Sequence, residues 1–256
     1  MTMITLPYED RHCGDLILVN RRYPLHQRAL EKEEALDSQL TAADPAWPEI
    51  LLARPAAIAL QKAMADLGAE GGIVPVSGYR SRAQQEKIYR DSLEENGPEF
   101  TKKYVALPDR SEHQTGLAID LGEGGVELDF IRPSFPDSGI CGLFKKEAAR
   151  YGFVLRYPQG QEPVTGIAHE PWHFRYVGCP HAAIMEAKGM VLEEYLEFLE
   201  GCSDGCFVWD DEDGSAQIRY IRGRENGIQI DVPEDCPYQV SGDNREGFII
   251  TVWRRR

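Results

Sequence analysis

Two short stretches hold side chains able to bind a metal and move a proton. Ser111-Glu112-His113-Gln114-Thr115-Gly116-Leu117-Ala118-Ile119-Asp120 supplies a histidine and an aspartate, and His169-Glu170-Pro171-Trp172-His173-Phe174 supplies a further histidine and a glutamate. Three nitrogen or oxygen ligands leave the fourth tetrahedral position open to water, which separates catalytic from structural zinc. His113, Asp120 and His173 are therefore read as ligands of Zn²⁺. Glu170 is read as the general base, acting on water whose pKa the cation lowers to about 7. A fourth protein ligand would close the open position, so His169 is assigned to the surroundings of the metal. A His-x6-Asp pair is weak by itself. It gains weight from Glu-Pro-Trp-His and from Ser77-Gly78-Tyr79-Arg80-Ser81 upstream.

The elements around these residues must bring them to one point. Leu117-Ala118-Ile119 reads as a short buried strand entered from a turn at Gly116, whose backbone freedom lets His113 curl back toward Asp120. Trp172 to Val177 reads as another strand, with alternating faces. Glu170 and His173 have odd spacing and would point to opposite faces of a regular strand. Pro171 disrupts that regularity, so Glu170 is expected to swing in from the preceding loop. Ile73 to Val76 is a strand delivering Arg80 at its end. Ser81 with Gln84 forms a capping box opening a helix over 82–93, which gives Arg80 a rigid mount. Arg175 shares the face of His173, as a neighbour of the metal site or as a solvated strand residue.

The three segments resemble the zinc D-Ala-D-Ala peptidases of the VanX, VanY and VanXY type, within the wider group of lysostaphin-like enzymes and the hedgehog fold. The family pattern SxHxxGxAxD followed by ExxWH, more often EPWH, is matched at every fixed position, and the resemblance spans roughly residues 15 to 200. It implies zinc on His113, Asp120 and His173, with Glu170 as base and Arg80 stabilising the oxyanion. A guanidinium suits that task, being always charged and donating in a fixed fork. Ser111 and Gln85 occupy positions that line the substrate pocket in relatives. A turn hydroxyl is the other reading of Ser111. The implied substrates are the D-Ala-D-Ala dipeptide or a peptidoglycan-precursor stem peptide, in glycopeptide resistance or cell-wall remodelling. L,D-carboxypeptidase action on tetrapeptide stems and a non-catalytic hedgehog-like zinc module are the alternatives. Glu170 and Arg80 together weigh against the second.

The whole chain of 256 residues carries a formal charge of -14, with 42% hydrophobic and 27% charged residues. Such an acidic surface argues against nucleic acid and anionic membranes as partners. No signal peptide or membrane span is legible, and six scattered cysteines form no paired CxxC motifs, which together point to a cytoplasmic location. The expected class is α+β, with an antiparallel sheet flanked by helices carrying the zinc site and a small C-terminal all-β module. The catalytic domain is placed at 1–202 and the β module at 203–256.

Within the first domain, Leu16 to Val19 is expected as a strand and 27–48 as a short helix with an exposed loop. Helices are expected over 54–67, 142–151 and 191–199, with a strand over 153–157. Residues 96–110 read as a loop, and 122–140 as an irregular flap near the metal that sets substrate choice. His12 and His26 read as exposed. In the second domain, four short strands over 207–209, 217–221, 228–231 and 248–253 are separated by Asp213-Gly214, Asn226-Gly227 and Gly242-Asp243-Asn244, which are hairpin signals. Cys202, Cys206 and Cys236 lack a fourth ligand and read as free thiols.

Overall fold

The computed structural model of the protein describes residues 1–26, 40–202, 205–211 and 214–254. In chain order the strands are β1 (Thr2–Leu6), β2 (Leu40–Asp44), β3 (Trp47–Ala53), β4 (Ile73–Ser77), β5 (Ala118–Glu123), β6 (Phe153–Tyr157) and β7 (Glu170–Tyr176). They are followed by β8 (Phe207–Asp211), β9 (Gly214–Arg222), β10 (Ile228–Val232), β11 (Tyr238–Gly242) and β12 (Gly247–Arg254). The helices are α1 (Arg54–Leu67), α2 (Arg82–Tyr104), α3 (Gly139–Glu147), α4 (Glu162–Thr165), α5 (His181–Lys188) and α6 (Leu192–Gly201). The class is α+β, as expected.

One compact unit comprises Val19–Pro24 and the described residues of Glu31–Val191. Its centre is an antiparallel four-stranded sheet in the order β4-β5-β7-β6. Helix α1 forms because Ala56, Ala57, Leu60, Ala63 and Met64 recur on one buried stripe, with Pro55 in the first turn. Gly68, at φ 62°, closes it in the left-handed conformation. The stripe packs with Ile119, Phe144 and Phe174 in the core. There Phe135, Phe144 and Phe174 meet edge to face, with ring centres 5.0 to 6.1 Å apart. The capping box at Ser81 and Gln84 is present and starts α2.

Several expectations for residues 16–151 are corrected. Residues 40–48, expected within a helix and loop, belong to the β2–β3 hairpin, while 27–39 lie outside the described residues. Leu16 to Val19 is buried but forms no strand. Helix α2 does not end at Leu93: Gly97 (φ 79°) kinks the chain before Pro98, and helix resumes to Tyr104. The 142–151 helix begins three residues earlier, at Gly139, and its last turn is 3-10.

The other unit comprises Met1–Leu18 and the described residues of Leu25–Leu30 and Leu192–Arg256. Its antiparallel sheet runs β11-β12-β9-β8, and a separate pair joins β1 to β10. Leu6, Ile228, Ile230, Phe248 and Ile250 share its core. The unit therefore takes in the N-terminal strand and α6, unlike a module confined to 203–256, because β10 finds its partner in β1. For the same reason Asn226-Gly227 does not close a hairpin between paired strands. Gly242-Asp243-Asn244 does, joining β11 to β12. None of the six cysteines, all among the described residues, forms a disulfide. Among the described residues no helix is long and apolar enough to cross a membrane.

Candidate metal centre and its cleft

The sheet places Ser77, Asp120 and His173 in one row across three neighbouring strands. Asp120 stands opposite His173 in the β5–β7 register and opposite Ser77 in the β4–β5 register. Both flanking ladders are irregular at this row. The β4–β5 register shifts between Pro75 and Ser77, and the β6–β7 register shifts between Leu155 and Tyr157. In the second, Leu155 faces Phe174 while Tyr157 faces Glu170, so β7 carries extra residues around Pro171. Such a bulge re-aims side chains. It brings Glu170 Oε2 to 3.8 Å from His173 Nδ1 despite their odd spacing. The expectation that Glu170 swings in from a loop is thus corrected: Glu170 is the first residue of β7 itself.

His113 arrives on a 3-10 turn over Glu112–Thr115, ended by Gly116 at φ 69°. Its Nδ1 lies 2.7 Å from the carbonyl oxygen of Gly78. A carbonyl can only accept, so Nδ1 carries the proton and Nε2 presents its lone pair. That Nε2 lies 3.1 Å from Asp120 Oδ2, and His173 Nδ1 lies 2.8 Å from Asp120 Oδ1. One donor atom from each of His113, Asp120 and His173 falls within 4.8 Å of the others, and all three residues are buried. The two imidazoles are nearly perpendicular, at 81° with ring centres 5.0 Å apart. An imidazole lone pair lies in the ring plane, and perpendicular planes share a line on which one cation can satisfy both. The donor set therefore fits zinc.

A different His/Glu group, Glu9, His12 and His26, has its donors equally close. Its two rings are stacked at 3.9 Å with only 10° between their planes. Parallel planes at that separation share no point, so a common ion does not fit them as they stand. His12 is also not the exposed residue expected: it is buried, with Nδ1 2.7 Å from Asn244 Oδ1.

Arg80 is held at three points. Its Nε donates to Ser77 Oγ at 2.8 Å, Nη2 to Asp120 Oδ2 at 2.9 Å and Nη1 to Gln85 Oε1 at 3.5 Å. Gln85 is fully buried and donates in turn to the carbonyl of Ala106 at 2.8 Å. Ser111, also buried, lines the same cleft of about 400 Å³, as do Arg80, Gln85, Glu170, Phe130 and Ile131. The cleft thus brings together every site residue expected from sequence, and residues of the 122–140 flap join them. His169 stays outside the donor group, with Nδ1 on the carbonyl of Tyr157.

Among the protein groups alone, burial raises the Glu170 carboxyl to about 8, against the pull of His173. That places a proton acceptor near neutral pH. Burial and the Arg80 charge push His113 down. Asp120 stays well below the usual carboxylate range because the two histidines outweigh its burial.

Sequence reasoning gave no role to Glu112, which the structure sets beneath the site. It is buried with Arg156 and Arg175, whose Nε and Nη1 lie 2.8 and 3.1 Å from Glu112 Oε1. Arg175 is therefore not solvated. The available signal was an acidic residue beside a metal-type histidine in a segment otherwise reading as buried.

The model of the family described as VanY, D-alanyl-D-alanine carboxypeptidase, matches residues 50–179. The chain is 40% identical over 185 residues to the bifunctional D-Ala-D-Ala dipeptidase and D-Ala-D-Ala carboxypeptidase VanXYC of Enterococcus gallinarum, covering 72% of this chain and 94% of that one. Among solved structures it is similar to the vancomycin-resistance D,D-dipeptidase VanXYg in complex with a D-Ala-D-Ala phosphinate analogue, with TM-score 0.93, 46% identity and 99% of both chains covered. It is also similar to a vancomycin-resistance D,D-pentapeptidase VanY variant in complex with Zn(II). There the TM-score is 0.58 and the identity 28%, over 71% of this chain and 98% of that one.

Proposed function

This chain belongs to the VanY family of D-alanyl-D-alanine carboxypeptidases, and from that premise we propose that His113, Asp120 and His173 hold zinc, with Glu170 as general base and Arg80 as oxyanion stabiliser. The protein is a zinc-dependent D,D-peptidase acting on D-Ala-D-Ala, on the terminal D-Ala of peptidoglycan precursors, or on both. The observation that carries the residue assignment is the meeting of three buried donors within 4.8 Å, beside a buried glutamate outside that set. Zinc bound there acts as a Lewis acid that polarises a carbonyl and brings the pKa of water to about 7.

The protein's own groups do the rest. Glu170 accepts a proton from the attacking water and delivers it to the leaving amine. Arg80, fixed by Ser77, Gln85 and Asp120, holds a positive charge where the scissile carbonyl oxygen becomes negative. Ser111 and Gln85 form the wall against which the D-alanyl residues lie. The global charge of -14 repels a carboxylate-terminated peptide, so attraction must be local, from the bound cation. A cytoplasmic setting in glycopeptide resistance or cell-wall remodelling suits this reading.

The test is a substrate panel of D-Ala-D-Ala, a D-Ala-terminated pentapeptide and a tetrapeptide stem, each with chelator controls. Glu170→Ala keeps its zinc and loses hydrolysis, whereas His113→Ala loses the metal. Undiminished turnover by Glu170→Ala refutes the base assignment, and cleavage of the tetrapeptide alone moves the activity to the L,D class.

A further inference from the structure

We propose that Glu112 is a positioning residue for the metal centre: its carboxylate accepts the Nε2 proton of His173 and so presents the Nδ1 lone pair to zinc. The proposal rests on the ligand set given above. Two nitrogens of His173 have different surroundings. Nδ1 faces the donor group, 2.8 Å from Asp120 Oδ1 and 3.8 Å from Glu170 Oε2. Nε2 faces away from it, 3.6 Å from Glu112 Oε2. Both Nε2 and Oε2 are buried without a hydrogen-bond partner, and they face each other just beyond bonding distance.

A neutral imidazole has one proton, and a metal ligand must offer a lone pair. With Nδ1 engaged on zinc, the proton resides on Nε2, and buried Oε2 is the acceptor that meets it. A shift of less than about 1 Å makes that hydrogen bond of ordinary length. His113 follows the same logic with a different acceptor, the carbonyl of Gly78. Each histidine thus has its tautomer set from behind, the arrangement by which outer partners orient metal ligands.

Glu112 can serve only if its carboxylate is held still and kept anionic at depth. Arg156 and Arg175 do both through the other oxygen, Oε1, leaving Oε2 directed at the ring. Arg175 comes from β7 two residues after His173, and Arg156 from the neighbouring strand β6, so acceptor and ligand share one rigid sheet.

Zn(II) affinity is measured by competition with a chromophoric chelator. Glu112→Gln removes the charge and binds Zn(II) roughly 10–100-fold more weakly than wild type, the usual effect of losing such a partner. Two buried arginines are then left unneutralised and can unfold that variant. The combined change Glu112→Met, Arg156→Met and Arg175→Met replaces the whole network by apolar side chains of similar length, a change that often preserves stability. The triple variant folds by circular dichroism and shows the same loss of Zn(II) affinity. Wild-type affinity in the triple variant makes the network merely structural and overturns the proposal. In zinc-loaded wild type, nitrogen NMR of ring-labelled histidine shows His173 protonated at Nε2. Protonation at Nδ1 overturns the proposal without any variant. His113→Ala is the control: if it binds Zn(II) like wild type, the ligand set itself is wrong, which the Glu112 variants alone would not reveal.

Discussion

Replacing Arg80 separates two tasks that a guanidinium in this cleft could perform. It could hold the oxyanion in the transition state, or clamp the carboxylate of the bound peptide. We propose the first, because each of its three nitrogens already donates one bond, to Ser77, Asp120 or Gln85, which fixes the group before substrate arrives and leaves one N–H on each Nη for an oxyanion. Two opposite charges about 4 Å apart interact by about 4 kcal/mol at an effective dielectric of 20. Loss of one oxyanion donor costs about 2.7–4 kcal/mol, or roughly 10²–10³ in rate. Arg80→Ala is therefore expected to lower kcat by roughly 10²–10³-fold with KM little changed, since an interaction made only in the transition state leaves ground-state binding alone. Arg80→Lys keeps the charge but not the fork, and is expected to recover only part of the loss. Both variants should still load with zinc at saturating metal, because Arg80 is not itself a ligand, although the loss of its bond to Asp120 weakens affinity. Steady-state kinetics on D-Ala-D-Ala with metal analysis on the same samples checks this. A rise in KM with kcat intact would mean that Arg80 clamps the substrate carboxylate, and the oxyanion reasoning would be wrong.

Three other outcomes follow from the geometry. The base must be ionised to work, so kcat/KM should rise with pH as Glu170 loses its proton. Burial sets that carboxyl at about 8 among the protein groups alone, and a bound cation pulls it lower, so the acid limb is expected below 8. A pH–rate profile reads it, and an unchanged limb in the residual activity of Glu170→Gln would assign it to another group. Gly78→Ala places a Cβ about 2.2 Å from the carbonyl oxygen of Leu51. The backbone must move, and with it the carbonyl that orients His113, so a loss of about 10²-fold in kcat is expected for a shift near 1 Å; wild-type kinetics would show that this carbonyl does not matter. Phe130 lines the cleft yet is 72% exposed. Phe130→Ala should raise KM several-fold for a pentapeptide and hardly for the dipeptide, because only the longer substrate reaches the flap. Equal effects on both would remove the flap from substrate choice.

That His113, Asp120 and His173 meet was legible in sequence because metal chemistry restricts residue type and spacing more tightly than packing does. Helix α1 and the start of α2 were legible for local reasons: an apolar stripe at helical spacing, and a capping box that needs only four residues to recognise. What escaped depends on distant partners. Nothing near Ile228 shows that β10 pairs with β1 rather than with β9, because the Asn226-Gly227 signal is local and the pairing is not. Strand β3 contains Pro48 and β2 is rich in Ala and Thr, so neither has a strong period of two. Glu112 escaped because its value lies in the two arginines that reach it from β6 and β7.

The parity of Glu170 and His173 shows how much a metal site can depend on irregular pairing. Two residues three apart on a regular strand lie on opposite faces, and a base on the far face could not reach water held at the metal. The extra residues of β7 around Pro171 reverse that parity, and the neighbouring shift at Pro75 and Ser77 lies at the start of the segment that carries Gly78 and Arg80. The regular part of the sheet supplies rigidity, with Asp120 and His173 directly opposed. Its two defects lie where the proposed base enters on one side and, on the other, where the proposed oxyanion donor and the carbonyl beside His113 follow. An ideal sheet of this composition would still be able to gather the ligands, but it would carry Glu170 on the wrong face.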